Sequence, residues 1–306
     1  MNFLECKSEL ASHSKFLGSK NPKINAVARG FVENYDRIIM MLHLPQHTAY
    51  NGIVLQHNWM LARGDAEKYN ELQNSGKGVD ETRAPRLRAL ADKVVTIAES
   101  PSSLMSDPVH KGLEALLAST LIAAWTAFET LAADLWEAAL NERPRLAFIA
   151  LGVEPDSSDS KEEESRKREK KLSFPAWMLL DPDFDLRNEM GTAVSKMRKW
   201  DFARRDRAAS AYRAVFRSEQ SEIDKVFKDP QLGWLAATRN AVVHSAAHAD
   251  DEFLKLTGTH PEFKSLERGN RIRLSGDVVG KLASSAFIQG NSLLKIVGDW
   301  VAANPR

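Results

Sequence analysis

Hydrophobic positions recur at steps of three and four residues along most of this chain, which is the period of an α-helix. The longest such pattern starts after Asp107-Pro108 and continues to about Asn141. Its apolar seam consists of Leu117, Leu121, Ala124, Phe128, Leu131 and Leu135. A second apolar face begins at Asn21-Pro22 and ends before Pro45, with Ile24, Val27, Phe31, Tyr35, Ile38 and Leu42. These patterns predict an all-α protein in which the helix over 107–141 is central.

Other segments complete a predicted helical bundle. Helices are expected over 54–72 and 86–98, after Asp229-Pro230, and after Ser275, which is a good N-cap residue. The last helix has an apolar side formed by Leu282, Ala286, Leu293, Val297 and Trp300. Just before it, the turn-forming residues 267–270 separate two short apolar segments, 263–266 and 271–274. This order predicts a small β-hairpin before the C-terminal helix.

Two polar segments suggest how the chain is divided. Residues 75–85 are polar and rich in helix breakers, which predicts a linker. We therefore expect an N-terminal helical region over 1–80, acting as a partner or sensor surface, and a helical domain over 85–306. Residues 156–171 are strongly charged with hardly any apolar side chain. They have nothing to bury, so they are expected to be an insertion that is disordered or an exposed helix.

Composition narrows the class of protein. Of 306 residues, 43% are hydrophobic and 27% are charged, which is ordinary for a soluble globular chain. Cys6 is the single cysteine, so neither an intramolecular disulfide nor a cysteine-rich metal site is possible. His43 and His47 are four residues apart, but Pro45 between them argues against a helical metal site. We expect a cytoplasmic protein without metal, cofactor, secretion signal or membrane anchor.

A basic cluster interrupts an otherwise balanced chain of net charge +1. Residues 196–217 contain eight basic side chains against Asp201 and Asp206, interleaved with Trp200, Phe202, Tyr212 and Phe216. Phosphate contacts combined with base stacking use this composition, so RNA-binding candidates are Arg198, Lys199, Arg204, Arg205 and Arg207. Met197, Ala208, Ala211 and Val215 also form a helical stripe. An ordinary amphipathic helix with a solvated basic face therefore stays open as the alternative.

The helix that opens at Asp229-Pro230 carries Arg239, Asn240 and His244. An Arg followed by His at such spacing also occurs at Arg37 and His43, so spacing alone is no evidence. On a helix at about 100° per residue, Asn240 and His244 share a face, whereas Arg239 and His244 are about 140° apart. Arg239 lies in the apolar stripe of Leu235, Val242 and Ala246. Two readings stay open: a buried ion pair of Arg239 with Glu129, and a capping or solvated His244.

The segment Arg239-Asn240-Ala241-Val242-Val243-His244, followed by Ser245, Asp251 and Phe253, resembles the Arg-Asn-x-x-x-His signature of the HEPN superfamily of helical domains. Residues 124–129, reading Ala-Trp-Thr-Ala-Phe-Glu, resemble the Trp/Phe-Glu segment of an earlier core helix in that superfamily. Residues 270–274 before a capped terminal helix are a third likeness, and together the three span residues 85–306. Ala246-Ala247 depart from the glycines of many relatives, which implies a differently shaped turn.

The resemblance implies a bundle of HEPN type and a metal-independent endoribonuclease that acts as a homodimer. His244 would be the general base or acid, and Arg239 would hold the scissile phosphate. Asn240 would orient His244 or the phosphate. Glu129, positioning Arg239, and Asp251 are supporting candidates. The family setting implies a toxin or antiviral defence effector with an antitoxin or regulatory partner protein. The alternative is a noncatalytic helical module for protein interaction or for nucleotide or RNA binding.

Overall fold

The computed structural model describes residues 21–42, 64, 107–150, 185, 188–198 and 200–304. About 78% of the described part is helical and none of it forms a strand, which confirms the all-α class. The chain divides into two compact units, Met1–Ile39 with Ala118–Arg306, and Met40–Leu117. Of the second unit, the described residues 40–42, 64 and 107–117 are helical. Except for residue 64, which is helical, the predicted helices over 54–72 and 86–98, the linker and the charged insertion lie outside the described residues.

The helices are labelled in chain order. They are α1 (22–42), α2 (Asp107–Glu142), α3 (Arg145–Ala150), α4 (Met190–Arg198), α5 (Arg205–Val215), a 3-10 turn (Arg217–Glu219), α6 (Gln220–Phe227), α7 (Pro230–His244), α8 (Asp251–Thr257) and α9 (Gly276–Ala303). Helices α1, α2, α7 and α9 begin within a residue of their predicted starts.

Helix α2 supplies the core seam that the sequence predicts. Every residue of that seam is buried, from Leu117 to Leu135. Helix α5 packs along it through two hydrogen bonds from buried aromatic side chains to main-chain carbonyls. The hydroxyl of Tyr212 donates to Ala132 at 2.7 Å, and the indole N–H of Trp136 donates to Ala211 at 3.1 Å. Each bond gives the polar end of a large apolar side chain a partner, as burial requires.

Helix α2 is also long and apolar enough over Lys111–Glu142 to cross a membrane, the one such helix among the described residues. Half of its most apolar window is buried within the protein. Core helices have the same length and composition, so this feature is weak evidence for a membrane span.

Residues of α1 pack on α9 within the first unit. The ring of Phe31 stacks on Phe287 with centroids 5.6 Å apart, and the hydroxyl of Tyr35 donates to the carbonyl of Ala283 at 2.8 Å. Gly290 permits this approach, because a Cβ atom there would lie 2.5 Å from the Phe31 ring and 2.9 Å from Leu131. The N-terminal helix thus covers part of α9 through closely fitted side chains.

The predicted hairpin of segments 263–266 and 271–274 is wrong. Residues 263–266 form successive turns, in which the backbone N–H of Phe263 donates to His260 and that of Leu266 to Phe263. Arg271 instead forms an isolated antiparallel bridge with His248, directly after α7. The N–H of Ala249 donates to Asn270, and the N–H of Ile272 donates to Ala247. The segment before α9 therefore pairs with the turn that follows α7.

Candidate functional site

Helix α7 is fixed at its start by one residue, Asp229. Its carboxylate caps the helix by accepting from the N–H of Leu232 at 2.8 Å, and Pro230 occupies the first helical position. The same carboxylate oxygen accepts from the hydroxyl of Ser285 on α9 at 3.0 Å, and the Asp229 carbonyl accepts from Arg205 on α5 at 3.3 Å. Three helices are joined at the residue from which α7 departs.

Along α7, the buried side faces α8 and α9. Leu235 and Ala241 are buried, Arg239 is half-buried, and Asn240 and His244 are exposed, as expected for two residues four apart. Ala246 was predicted to extend the apolar stripe of this helix. It does not, because α7 ends at His244 and Ala246 is exposed in the turn beyond it.

One nitrogen of the Arg239 guanidinium makes a hydrogen bond and another makes none. Its Nη1 donates to the Asn240 side-chain oxygen at 3.1 Å, whereas its buried Nε has no hydrogen-bond partner among the described residues. Burial raises the pKa of the Glu129 carboxyl; the charge of Arg239 opposes this rise and that of Asp201 adds to it. Glu129 therefore lies in the field of Arg239, but the two make no ion pair in the described part of the chain. The buried Arg239–Glu129 pair, which the sequence left open, does not form.

His244 is the last residue of α7, and its imidazole is exposed to solvent. Within the described ranges, no hydrogen bond or ion pair engages either ring nitrogen of His244. A second exposed histidine, His248, follows in the turn, and its Nδ1 lies 3.2 Å from the carbonyl of Ser245. Of the second open reading, a capping or solvated His244, the structure shows the solvated form.

The turn between α7 and α8 is conformationally strained. Ala246 and Ala247 have φ of 47° and 61°, the left-handed region that glycine adopts most readily. These are the two positions where the HEPN-like pattern leads one to expect glycine. The backbone adopts the conformation that glycines would allow, and in the alanines it brings the Cβ atom too close to the following carbonyl oxygen.

Asp250 stabilises this turn and was missed by sequence reasoning. Its carboxylate accepts from the Ser245 hydroxyl at 2.9 Å and caps α8 by accepting from the N–H of Phe253 at 2.8 Å. These two bonds, chiefly the one from Phe253, lower the pKa of the Asp250 carboxyl. The predicted supporting residue Asp251 is exposed and pairs with Arg268 at 3.2 Å. An acidic residue three positions before Phe253 was the available signal, since that spacing marks an N-cap.

An aromatic cluster lies against α7 and includes a buried histidine. His260 stacks on Phe263 with centroids 4.3 Å apart and meets the Trp234 ring edge-on at 4.6 Å. Its Nδ1 accepts from the backbone N–H of Glu262 at 3.1 Å. Burial and the nearby charge of Lys281 lower the pKa of His260, while Glu262 opposes the shift. This histidine is therefore held neutral as part of the packing.

The predicted RNA-binding residues differ in solvent exposure and in the partners that they contact. Arg198 and Arg207 are exposed, and Arg204 forms an exposed ion pair with Asp206 at 3.3 Å. Arg205 is half-buried, because its guanidinium crosses the first turn of α7 where a Cβ atom of Gly233 would stand. Lys199 lies outside the described residues. The exposed arginines are accessible from solvent, whereas Arg205 is engaged within the protein.

The aromatic residues of the basic cluster do not form a stacking surface. Phe202, Tyr212 and Phe216 are buried, and the ring of Trp200 is half-buried against Trp136 at 6.2 Å. Ala208, Ala211 and Val215 are buried as well. The base-stacking interpretation is wrong for these buried rings, because they pack against aromatic side chains, Phe202 on Trp136, Tyr212 on Phe216 and Phe216 on Trp300. The amphipathic alternative describes this helix.

In the described ranges, no group of three or more His, Cys, Asp or Glu side chains could hold a metal ion, and His43 and His47 fall outside those ranges. No protein-family model, curated protein or solved structure matches this chain. The likeness to the HEPN superfamily thus rests on the residues quoted from the sequence.

Proposed function

We propose that this chain is a metal-independent endoribonuclease whose reacting groups are Arg239, Asn240 and His244. The observation that carries the proposal is the state of α7: an exposed His244 with no described partner lies five residues from an arginine whose buried Nε is unsatisfied. Buried polar groups normally have partners, and an unsatisfied donor in a half-buried arginine is what an anionic ligand would complete.

The chemistry needs a base, an acid and a cation. Histidine is a common general base, so His244 can take the proton of a ribose 2′-OH as that oxygen attacks the phosphorus. The bond from phosphorus to the 5′-oxygen breaks, and the imidazolium that His244 has become donates its proton to the leaving oxygen. The products are a 2′,3′-cyclic phosphate and a 5′-hydroxyl. Arg239 would bind the phosphate oxygens, for which its planar guanidinium is suited, and Glu129 would hold that guanidinium in place through its nearby charge.

A homodimer would add a second set of reacting groups. Arg239 and His244 leave α7 about 140° apart, and within one copy the Arg239 side chain reaches the side that carries His244 only by curling around the helix to Asn240. Two copies with facing α7 helices would bring the arginine of one to the histidine of the other. Val243, adjacent to His244, is 45% exposed and offers an apolar contact at such an interface.

The biological setting belongs to the same proposal. A nuclease of this kind would act as a growth-arresting toxin or antiviral effector in the cytoplasm. An antitoxin or regulatory protein would restrain it.

The test compares wild type with His244→Ala and His248→Ala on a mixed RNA substrate in EDTA, followed by analysis of the product ends. We expect wild type and His248→Ala to leave 2′,3′-cyclic phosphate ends. Loss of a general base or acid typically costs about 10² to 10⁴ in rate, so His244→Ala should be close to inactive. His248 is the matched control, being an exposed histidine four residues away. No cleavage by folded, dimeric wild type would contradict the proposal and favour a noncatalytic binding module.

A further inference from the structure

A pocket lies at the basic cluster, formed by α5, the end of α6 and the residue that follows α6. It has a volume of about 360 Å³, and its cationic lining consists of Arg205, Arg207, Arg213 and Lys228. The sequence-based candidates include the first two of these arginines. Lys228 lies outside the 196–217 cluster and joins the pocket only through the fold.

The carboxylates around this pocket are already paired. Asp206 pairs with Arg204, while Asp224 pairs with both Arg213 at 2.5 Å and Lys228 at 2.7 Å. Side-chain hydrogen bonds, from Lys228 first and then Arg213, lower the pKa of the Asp224 carboxyl. With Asp229, whose charge acts on Arg205, three carboxylates stand against five cations at the pocket and its rim: Arg204, Arg205, Arg207, Arg213 and Lys228.

Part of the cationic lining is pre-positioned. Arg205 is held by the Asp229 carbonyl and by its passage over Gly233, and Arg213 is held by Asp224. Arg207 and Lys228 are exposed at the pocket. Held guanidinium groups lose less conformational freedom when they bind a phosphate, and the two exposed cations add positive charge at the pocket.

We infer that this pocket binds the phosphodiester backbone of single-stranded RNA at a distance from the cleaved bond, an inference that rests on the proposed ribonuclease function. The pocket adjoins the start of α7, and Arg239 lies ten residues beyond Asp229, or about 15 Å along the helix axis. A short single-stranded RNA can cross that distance and reach both the pocket and Arg239. Phe202, Tyr212 and Phe216 are buried, which leaves phosphate, rather than bases, as the group recognised here.

The experiment measures binding of wild-type protein to a short single-stranded RNA carrying 2′-O-methyl groups, which cannot be cut by 2′-OH attack. Fluorescence anisotropy over a range of salt concentrations gives the slope of log affinity against log salt. For the double variant Arg207→Gln with Lys228→Gln, we expect weaker binding and a slope smaller by about 0.7 for each phosphate that is no longer neutralised. The folded state of each variant is checked by circular dichroism.

The control double variant is Arg273→Gln with Lys281→Gln, which removes the same charge from exposed residues outside the pocket. Lys281 pairs with Asp277 at 2.8 Å four residues earlier, as Lys228 does with Asp224 at 2.7 Å.

An equal decrease of the slope in both double variants would overturn the inference, as would wild type that does not bind the RNA. Stronger binding to oligoglutamate than to RNA would overturn it in favour of an acidic protein partner. Binding that depends on the pocket in a protein that cuts no RNA would leave the inference standing and refute the nuclease.

Discussion

Arg239 donates a hydrogen bond to the side-chain oxygen of Asn240, although the two residues are adjacent on α7 and leave it about 100° apart. The long arginine side chain curls around the helix to make this contact. Because a guanidinium has donors only, the amide must present its oxygen to Arg239, and its NH₂ group points elsewhere. Asn240 therefore offers N–H donors to a ligand, which suits a phosphate oxygen.

This arrangement predicts that Arg239 contributes little to stability. Arg239→Ala removes one exposed hydrogen bond and a buried unsatisfied Nε, so we expect the free energy of unfolding to fall by less than about 1.5 kcal/mol. RNA cleavage should be abolished. Urea denaturation and the cleavage assay measure the two effects. Arg205→Ala is the matched control and should cost more stability, since that guanidinium packs on α7. A decrease of about 3 to 5 kcal/mol for Arg239→Ala would indicate a buried ion pair instead.

His260 predicts a pH-dependent stability. Its pKa is lowered in the folded protein by burial, so below about pH 6.5 the unfolded chain takes up a proton that the folded protein resists. The free energy of unfolding should fall as the pH drops from about 6.5 towards the lowered pKa of His260. Urea midpoints measured at about pH 7.5 and pH 5 report this change.

The variant His260→Asn isolates this contribution. Asparagine retains an acceptor for the N–H of Glu262 but does not titrate, so the difference between the two pH values should shrink. His248→Asn changes an exposed histidine and should keep the wild-type difference. An unchanged difference in His260→Asn would show that other groups cause the effect.

The turn after α7 predicts a stabilising substitution. A left-handed φ costs an L-residue about 1–2 kcal/mol, and a glycine adds about 0.4–1 kcal/mol of unfolded-chain entropy. Ala247→Gly should therefore raise the free energy of unfolding by up to about 1 kcal/mol. The control is Ala236→Gly, within α7, which should lower it by about 1 kcal/mol. Equal decreases in both variants would contradict the strained turn.

The approach of α1 to α9 predicts opposite outcomes for two glycines. Gly290→Ala places a Cβ atom 2.5 Å from the Phe31 ring, and overpacking of this kind costs about 1–3 kcal/mol. Gly30→Ala, beside Phe31 in the sequence, meets nothing within 4 Å and should stabilise α1 by up to about 1 kcal/mol. Thermal denaturation of the two variants measures the contrast. A stable Gly290→Ala protein would mean that α1 does not pack closely on α9.

Local chemistry made the helix starts predictable. Pro22 and Pro230 occupy the first helical positions of α1 and α7, and Asp229 and Ser275 cap α7 and α9 with side-chain bonds. Such signals act over three residues and do not depend on tertiary packing. The seam of α2 was predictable for a related reason, because a regular apolar period can be buried only on one face.

Tertiary neighbours decided what the sequence left open. The sequence around Tyr212 and Phe216 is compatible both with rings that stack on RNA bases and with rings that are buried in the core. Only the position of α2 in the fold distinguishes these two possibilities. Arg205 could not be separated from the other arginines, because Gly233, which makes room for it, is distant in sequence. The bridge between His248 and Arg271 follows from the turn in which Ala246 and Ala247 have positive φ. The conformational preference of alanine does not predict a positive φ at either position.

The anchoring of α7 at Asp229 makes that helix a lever. Its 15 residues extend about 22 Å from a pivot that joins three helices, so a tilt of about 5° at the pivot would displace His244 by roughly 2 Å. A misplacement of about 1 Å can cost an enzyme about 10²-fold in rate. We therefore expect substitutions of Ser285 or Arg205, which contact the start of α7, to shift the position of a side chain four helical turns away.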